Sequence, residues 1–389
     1  MKRKRVCIVT GSRADWGLLY PLARYLKENN DKFILQIIAA GAHLSSDFGF
    51  TYKEIERDGF VINHKVKMPL FKDTGAAIAE SVGESISLFN KAFLSFAPDW
   101  VFLLGDRFEI FSAAVSCVFL KIPIAHIHGG ELTEGSIDDI LRHAITKMSY
   151  FHFVSTDTYR KRVIQMGESP SRVFNVGALG IENIKKTKLL TKEALEKIIN
   201  FKLGTKNMIV TFNPSTGEKP EVLIEQLNNF FNALDKFNDV RVIFTLPNPD
   251  MHVYAIKTMI EDYVKRNSQR CIAFSSMGRS LYLSALNYVD VVAGNSSSGI
   301  IEAPSFGIPT INIGDRQKGR VKALSVIDVS GSFMSLKRAL KKAFSNSFRK
   351  VCKKVKNVYG DGCVSKKIAL IITKTAIPVR EKCFYDIKE

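Results

Sequence analysis

Trp100-Val101-Phe102-Leu103-Leu104-Gly105-Asp106-Arg107-Phe108-Glu109 opens the stretch that decides the fold, and Ile124-Ala125-His126-Ile127-His128-Gly129-Gly130-Glu131 closes it. Each segment begins as an apolar run, turns at glycine, and places charged residues just beyond. The residues between them, 108–120, have the length and periodicity of a helix. Strand, loop, helix, strand, loop is the repeat of a parallel sheet covered on both faces, whose buried strands read as near-continuous apolar runs.

The unit recurs outward from there. Strands are predicted at 6–10, 33–40, 151–154 and 173–176, with a helix at 18–29. A polar, helix-prone stretch at 181–206 interrupts the pattern, which then restarts. Strands are predicted at 208–212, 240–246, 271–274, 289–293 and 309–313, with helices at 222–237 and from near Gly299. A chain of 389 residues suits two domains better than one. The expected fold is therefore α/β, two Rossmann-like doubly wound domains, with the boundary near 180–206. In open parallel sheets ligands bind beyond the carboxyl ends of the strands. Two such domains facing each other would put both loop sets on one interdomain cleft.

Composition removes other classes. The balance of 46% hydrophobic and 24% charged residues is that of a folded globular chain. Six scattered cysteines form no CxxC and no zinc-finger spacing, so free thiols in a reducing compartment are expected. After MKRKR the apolar run is too short for a signal core. No window approaches the ~18 apolar residues of a membrane span. The net charge of +18 is uneven: residues 331–389 hold 15 Lys/Arg against 4 Asp/Glu. A basic tail attracts anions in general, but no nucleic-acid-binding pattern accompanies it, and a solvated helical face is the plainer reading.

The unusual residues fall in the loops after strands. Gly294-Asn295-Ser296-Ser297-Ser298-Gly299 follows a strand and opens a helix. Backbone N–H groups, small residues and three hydroxyls there suit a phosphate, with Glu302 one turn on to accept from ribose hydroxyls. A capping box is the alternative. Arg316, Lys318 and Arg320 lie past the next strand, placed to neutralise a diphosphate or to form an exposed basic loop. Gly11-Ser12-Arg13-Ala14-Asp15 follows the first strand without being GxGxxG, and Arg13 there is a phosphate candidate. Asp106, Arg107 and Glu109 are an acid–base cluster or a structural salt bridge. The densest stretch runs from His126 and His128 through Glu131, Thr133 and Glu134 to Asp138, Asp139, Arg142 and His143. Strand alternation predicts His126 and His128 on one side, and Asp139 and His143 are i,i+4 neighbours on a helix. Carboxylates and histidines beside a strand end fit general acid/base work, with helix-start acids serving only the dipole as the alternative. No metal-ligand spacing such as HExxH is present, and no metal is expected.

Five segments, 9–19, 47–60, 105–109, 126–149 and 294–320, resemble the hydrolysing UDP-N-acetylglucosamine 2-epimerase family in order along nearly the whole chain. The longest read HIHGGELTEGSIDDILRHAITKMS and GNSSSGIIEAPSFGIPTINIGDRQKGR. The resemblance implies a GT-B-like fold with domains 1–180 and 181–365 and a C-terminal helix, 366–389, crossing back to the first. It implies elimination of UDP from C1 as the C2 proton leaves, then hydration of the glycal to the C2-inverted free sugar, for sialic-type acid biosynthesis. UDP-N-acetylglucosamine is the first substrate implied. UDP- or GDP-linked N,N′-diacetylbacillosamine, on the legionaminic acid route, is the alternative. A GT-B glycosyltransferase and a non-catalytic nucleotide-sugar binder are further alternatives.

By the same resemblance Asp106, Glu131 and Asp138 are acid/base groups, with Asp139 and His128 beside them, where the family often has Glu at the His128 position. Arg13, Arg107, Ser296, Ser297, Glu302 and Arg316 hold the UDP portion, and Asn248 joins them. Where the family usually has His-Pro, this chain has Asn213-Pro214. Asn213 is placed among the UDP-binding residues but cannot titrate near neutrality. No cofactor is implied. A cytoplasmic homodimer or homotetramer is implied, with no nucleic-acid or membrane partner.

Overall fold

The structure, a computed structural model, describes residues 2–46, 49–69, 74–133, 136–213, 220–247, 253–378 and 382–387. The chain divides into two compact units. One comprises Met1–Glu131, Ile137–Asn183 and Tyr359–Glu389; the other comprises Leu132–Ser136 and Ile184–Val358.

The first unit carries seven parallel strands: β1 (Lys4–Thr10), β2 (Phe33–Ala40), β3 (His64–Val66), β4 (Trp100–Leu104), β5 (Ile124–Ile127), β6 (Phe151–Val154) and β7 (Val173–Asn175). Their order is β3-β2-β1-β4-β5-β6-β7. The second unit carries six: β8 (Lys206–Thr211), β9 (Val240–Thr245), β10 (Cys271–Phe274), β11 (Val291–Gly294), β12 (Thr310–Ile313) and β13 (Val326–Val329), in the order β10-β9-β8-β11-β12-β13. Both are doubly wound, so each has a topological switch point, at β1/β4 and at β8/β11.

Burial explains the apolar runs. All five residues of β4 are buried. Trp100, Phe102 and Leu104 enter one core, while Val101 and Leu103 enter the core on the other face. In the second unit Met208 and Val210 face one core and Ile209 the other. A strand with a core on each face cannot alternate apolar with polar. The half-buried edge strands β3 and β13 lack such runs, and the sequence reading did not include them.

The helix Val364–Lys374 belongs to the first unit. Its Val364, Ile368, Ala369 and Ile372 join the same core as Trp100 and Phe102. Buried Glu182 accepts from the Ser365 backbone N–H at 2.6 Å and from its hydroxyl at 2.7 Å. Much of the chain's basic C-terminal segment therefore flanks a helix with a structural role.

Candidate active site

In the first unit the functional side chains come from the ends of β1, β4, β5 and β6 and from the helix Ile137–Met148. Arg142, on that helix, is 2% exposed. Its Nη2 donates to Asp106 Oδ2, just past β4. Its Nη1 donates to Asp139 Oδ1 at 2.9 Å and to the Glu131 backbone carbonyl at 2.9 Å. One buried guanidinium thus ties together two loops and a helix start, and its charge is compensated by carboxylates where burial alone would oppose it. His143 reaches Asp139 across one helical turn at 3.5 Å, and burial lowers its pKa. Asp138 stands half-buried in the same first turn.

The strand alternation expected to pair His126 with His128 does not reach His128. β5 ends at Ile127, and His128 has φ +66°, which breaks the alternation. His126 is fully buried, bonded through Nε2 to the Gly105 carbonyl at 2.8 Å and through Nδ1 to Thr146 Oγ1 at 3.2 Å. Burial depresses its pKa to about 3, so it is a neutral structural residue under the loop. His128 instead places Nδ1 3.0 Å from Glu131 Oε1. Ser155, just past β6, donates to the same oxygen at 3.0 Å.

Arg107 and Arg13 each have a carboxylate partner. Arg107 grips the fully buried Glu109 at 3.2–3.3 Å. Glu109 lies under two glycines: a Cβ on Gly41, at φ +55°, would meet Glu109 Oε1 at 2.7 Å, and one on Gly11 would meet its side chain at 3.4 Å. Arg13 pairs with Glu54 at 3.1 Å. Asp15, one helical turn from the Ser12 cap, has its pKa raised to about 6 by burial, with Arg107 opposing and Glu109 and Asp106 reinforcing the rise.

In the second unit Gly294, at φ +121°, ends β11 so close to β8 that a Cβ would lie 1.8 Å from the Thr211 carbonyl oxygen. That approach lets Asn295 clamp Asn213. The Asn213 N–H donates to Asn295 Oδ1 at 2.7 Å, and Asn295 Nδ2 donates to the Asn213 carbonyl at 2.8 Å. The Asn295 carbonyl accepts from Arg316 Nη1 at 3.0 Å and Gln317 Nε2 at 2.9 Å. Ser296 caps the helix Ser297–Ile301 by accepting from the Ser298 N–H at 3.3 Å. Ser298 donates to Glu302 and lies 2.7 Å from the Tyr282 hydroxyl. Burial raises Glu302 to about 6, against the Ser298 hydrogen bond. Glu302 is the C-cap of this five-residue helix rather than a residue one turn inside it. Ser297 opens that helix, half-buried. Asn248 and Glu134 lie outside the described residues.

The sequence reading named Asp106, Glu131, Asp139 and His128 without seeing what joins them. Arg142 was noted in its stretch without a role; Ser155, Asn295 and Tyr282 were not singled out. Ser155 and Asn295 carried one usable signal, their position just after a buried strand. Among the described residues no group of three His, Cys, Asp or Glu is arranged to hold a metal ion, and no helix is long and apolar enough to cross a membrane.

Two doubly wound parallel sheets, one with a carboxylate–histidine cluster at its strand ends and the other with a Ser/Asn/Arg loop set, make up an α/β fold of the GT-B-like class. The UDP-N-acetylglucosamine 2-epimerase family matches residues 25–373. A Campylobacter jejuni protein named GDP/UDP-N,N'-diacetylbacillosamine 2-epimerase (hydrolyzing) is 40% identical over 349 residues, 90% of each chain. A Legionella pneumophila UDP-N,N'-diacetylbacillosamine 2-epimerase (hydrolyzing) is 34% identical over 364 residues, 94% of each. The solved UDP-GlcNAc 2-epimerase of Methanocaldococcus jannaschii, in complex with UDP-GlcNAc and UDP, shares the fold with a TM-score of 0.78 at 19% identity, over 95% of this chain and 100% of that one. The chain belongs to the UDP-N-acetylglucosamine 2-epimerase family and is an enzyme of its hydrolysing kind.

Proposed function

We propose that this enzyme converts a nucleoside-diphosphate-linked 2-acetamido sugar and water into the free nucleoside diphosphate and the C2-inverted sugar. Removal of the C2 proton and departure of the diphosphate from C1 give a glycal, and water then adds across the double bond. The observation that carries this reading is the Arg142-tied set of Asp106, Asp139 and the Glu131 loop beside His128, in a chain 40% identical to a hydrolysing 2-epimerase. Proton transfer at carbon needs acid/base groups held in place before substrate arrives. Asp106, Glu131, Asp138, Asp139 and His128 make up the set that moves and positions the protons. Arg13, Arg107, Asn213, Asn248, Ser296, Ser297, Glu302 and Arg316 serve the nucleotide.

UDP-N-acetylglucosamine is the first substrate to test. UDP- or GDP-linked N,N′-diacetylbacillosamine is the second, and the two relatives named for it favour it for this chain. The enzyme works in the cytoplasm as a homodimer or homotetramer, which light scattering on the purified protein checks. Proton and phosphorus NMR of the protein with each substrate in heavy water tests the chemistry. Free nucleoside diphosphate together with an inverted sugar carrying deuterium at C2 is expected. A sugar that keeps its C2 configuration, or no turnover of either substrate, sinks the proposal.

A further inference from the structure

His128 is the residue that leaves β5, and it does so at φ +66°. That left-handed conformation is costly for a residue with a β-carbon and easy for glycine. The side chain it aims is engaged at one end only. Nδ1 lies 3.0 Å from Glu131 Oε1, and the Ser155 hydroxyl donates to that same oxygen at 3.0 Å. His128, Glu131 and Ser155 are 8%, 3% and 1% exposed. The far ring nitrogen, Nε2, is buried and has no hydrogen-bond partner among the described residues. Buried polar atoms are nearly always satisfied, and exceptions call for an explanation. A carboxylate oxygen accepts, so Nδ1 donates to it, and in the neutral imidazole the lone pair then lies on Nε2. Carboxylate, imidazole and an unpartnered nitrogen on its far side are the parts of a proton carrier with its orienting group. The neighbouring carboxylates of Asp106 and Asp139 are engaged by Arg142.

We propose that His128 Nε2 takes the C2 proton, and that Glu131 is a positioning residue which holds the imidazole by Nδ1 while Ser155 holds Glu131. The assignment rests on the epimerase reading above. Nε2 gains the proton, the C2–H electron pair becomes the C1=C2 double bond, and the C1–O pair leaves with the diphosphate. Hydration follows: water adds its hydroxide to C1 and passes its remaining proton to a second group, which delivers a proton to C2 from the opposite face, as inversion requires, and is restored by the proton from water. The imidazolium then returns its proton to solvent, which closes the balance.

His128→Gly tests this with little backbone cost, since glycine suits φ +66°, and it leaves room for free imidazole. The variant should keep the wild-type circular dichroism and lose turnover by roughly 10²–10⁴-fold. Added imidazole should restore part of the rate in a saturable way and bring back deuterium incorporation at C2. Glu131→Gln should lower kcat with KM little changed in the native background, and should cost nothing more in the His128→Gly background. Glu131→Asp should recover part of the loss. A wild-type enzyme that turns over neither substrate sinks the epimerase reading itself. An active wild type whose folded His128→Gly keeps its rate, or is not revived by imidazole, overturns the assignment of His128 alone.

Discussion

Asp15 shows how the field of one loop acts on a single residue. It sits in the first turn of the helix Arg13–Glu28, and burial raises its pKa to about 6, with Arg107 opposing and Glu109 and Asp106 adding to the rise. A carboxyl whose folded pKa lies above its ordinary value of 3.8 favours folding below that value. That contribution is lost as pH rises through about 6. Asp15→Asn removes the charge and keeps the shape. Its melting temperature should exceed wild type at pH 7.5, and the gap should close by pH 4. A variant less stable than wild type at pH 7.5 would show that the Asp15 charge is needed where it stands. At the same scale lies Asn213, where the sequence resemblance leads one to expect His. It is 5% exposed, and its backbone is clamped on both sides by Asn295. Its placement in the fold comes from that clamp, which any side chain at 213 would inherit.

At the scale of elements, what matters is where strands stop. β5 stops one residue early, and the turn at His128 sends the imidazole to Glu131. β11 stops at Gly294, whose missing side chain lets the chain pass against Thr211 of β8. β11 borders the switch point of the second sheet, and β5 lies next to β4, which borders that of the first; a doubly wound sheet puts its ligands at such points. Gly294→Ala puts a methyl group into a backbone carbonyl at a φ that alanine resists, and should cost at least about 2 kcal/mol. Urea unfolding followed by fluorescence measures it. An unchanged midpoint would mean that β8 and β11 separate freely, and the Asn213–Asn295 clamp would lose its physical basis.

At the scale of the molecule, the C-terminal segment completes the first unit from the far end of the sequence. Val364, Ile368, Ala369 and Ile372 fill the core beneath β1 and β4, and Ser365 satisfies the buried Glu182. Lys4 closes the other end by donating to the Thr373 carbonyl at 3.2 Å. Deleting Tyr359–Glu389 should bare that core face and leave a buried carboxylate without its donors, a large destabilisation. Loss of cooperative melting, or aggregation on expression, is the expected outcome. A truncated chain that melts like the intact protein would show the segment to be dispensable.

The sequence by itself determined the central strands, the class of fold and the loops that hold chemistry. β2, β4 and β6 fall on their predicted residues, because a strand buried on both faces is written locally as an apolar run; the edge strand β10 also falls on its predicted residues. The carboxylates after β4 and β5 were legible because parallel sheets gather chemistry at one end. Only the tertiary structure decided which partner each residue has. Arg142 meets Asp106 across 36 positions and Ser155 meets Glu131 across 24, separations that no local pattern encodes. Arg13 reads as a phosphate candidate in sequence, yet Glu54 reaches it in space; at Arg107 the salt bridge that the sequence offered as one reading forms with Glu109. Short edge strands such as β3 and β13 take their conformation from the neighbour they pair with, so their own residues carry little sign of it.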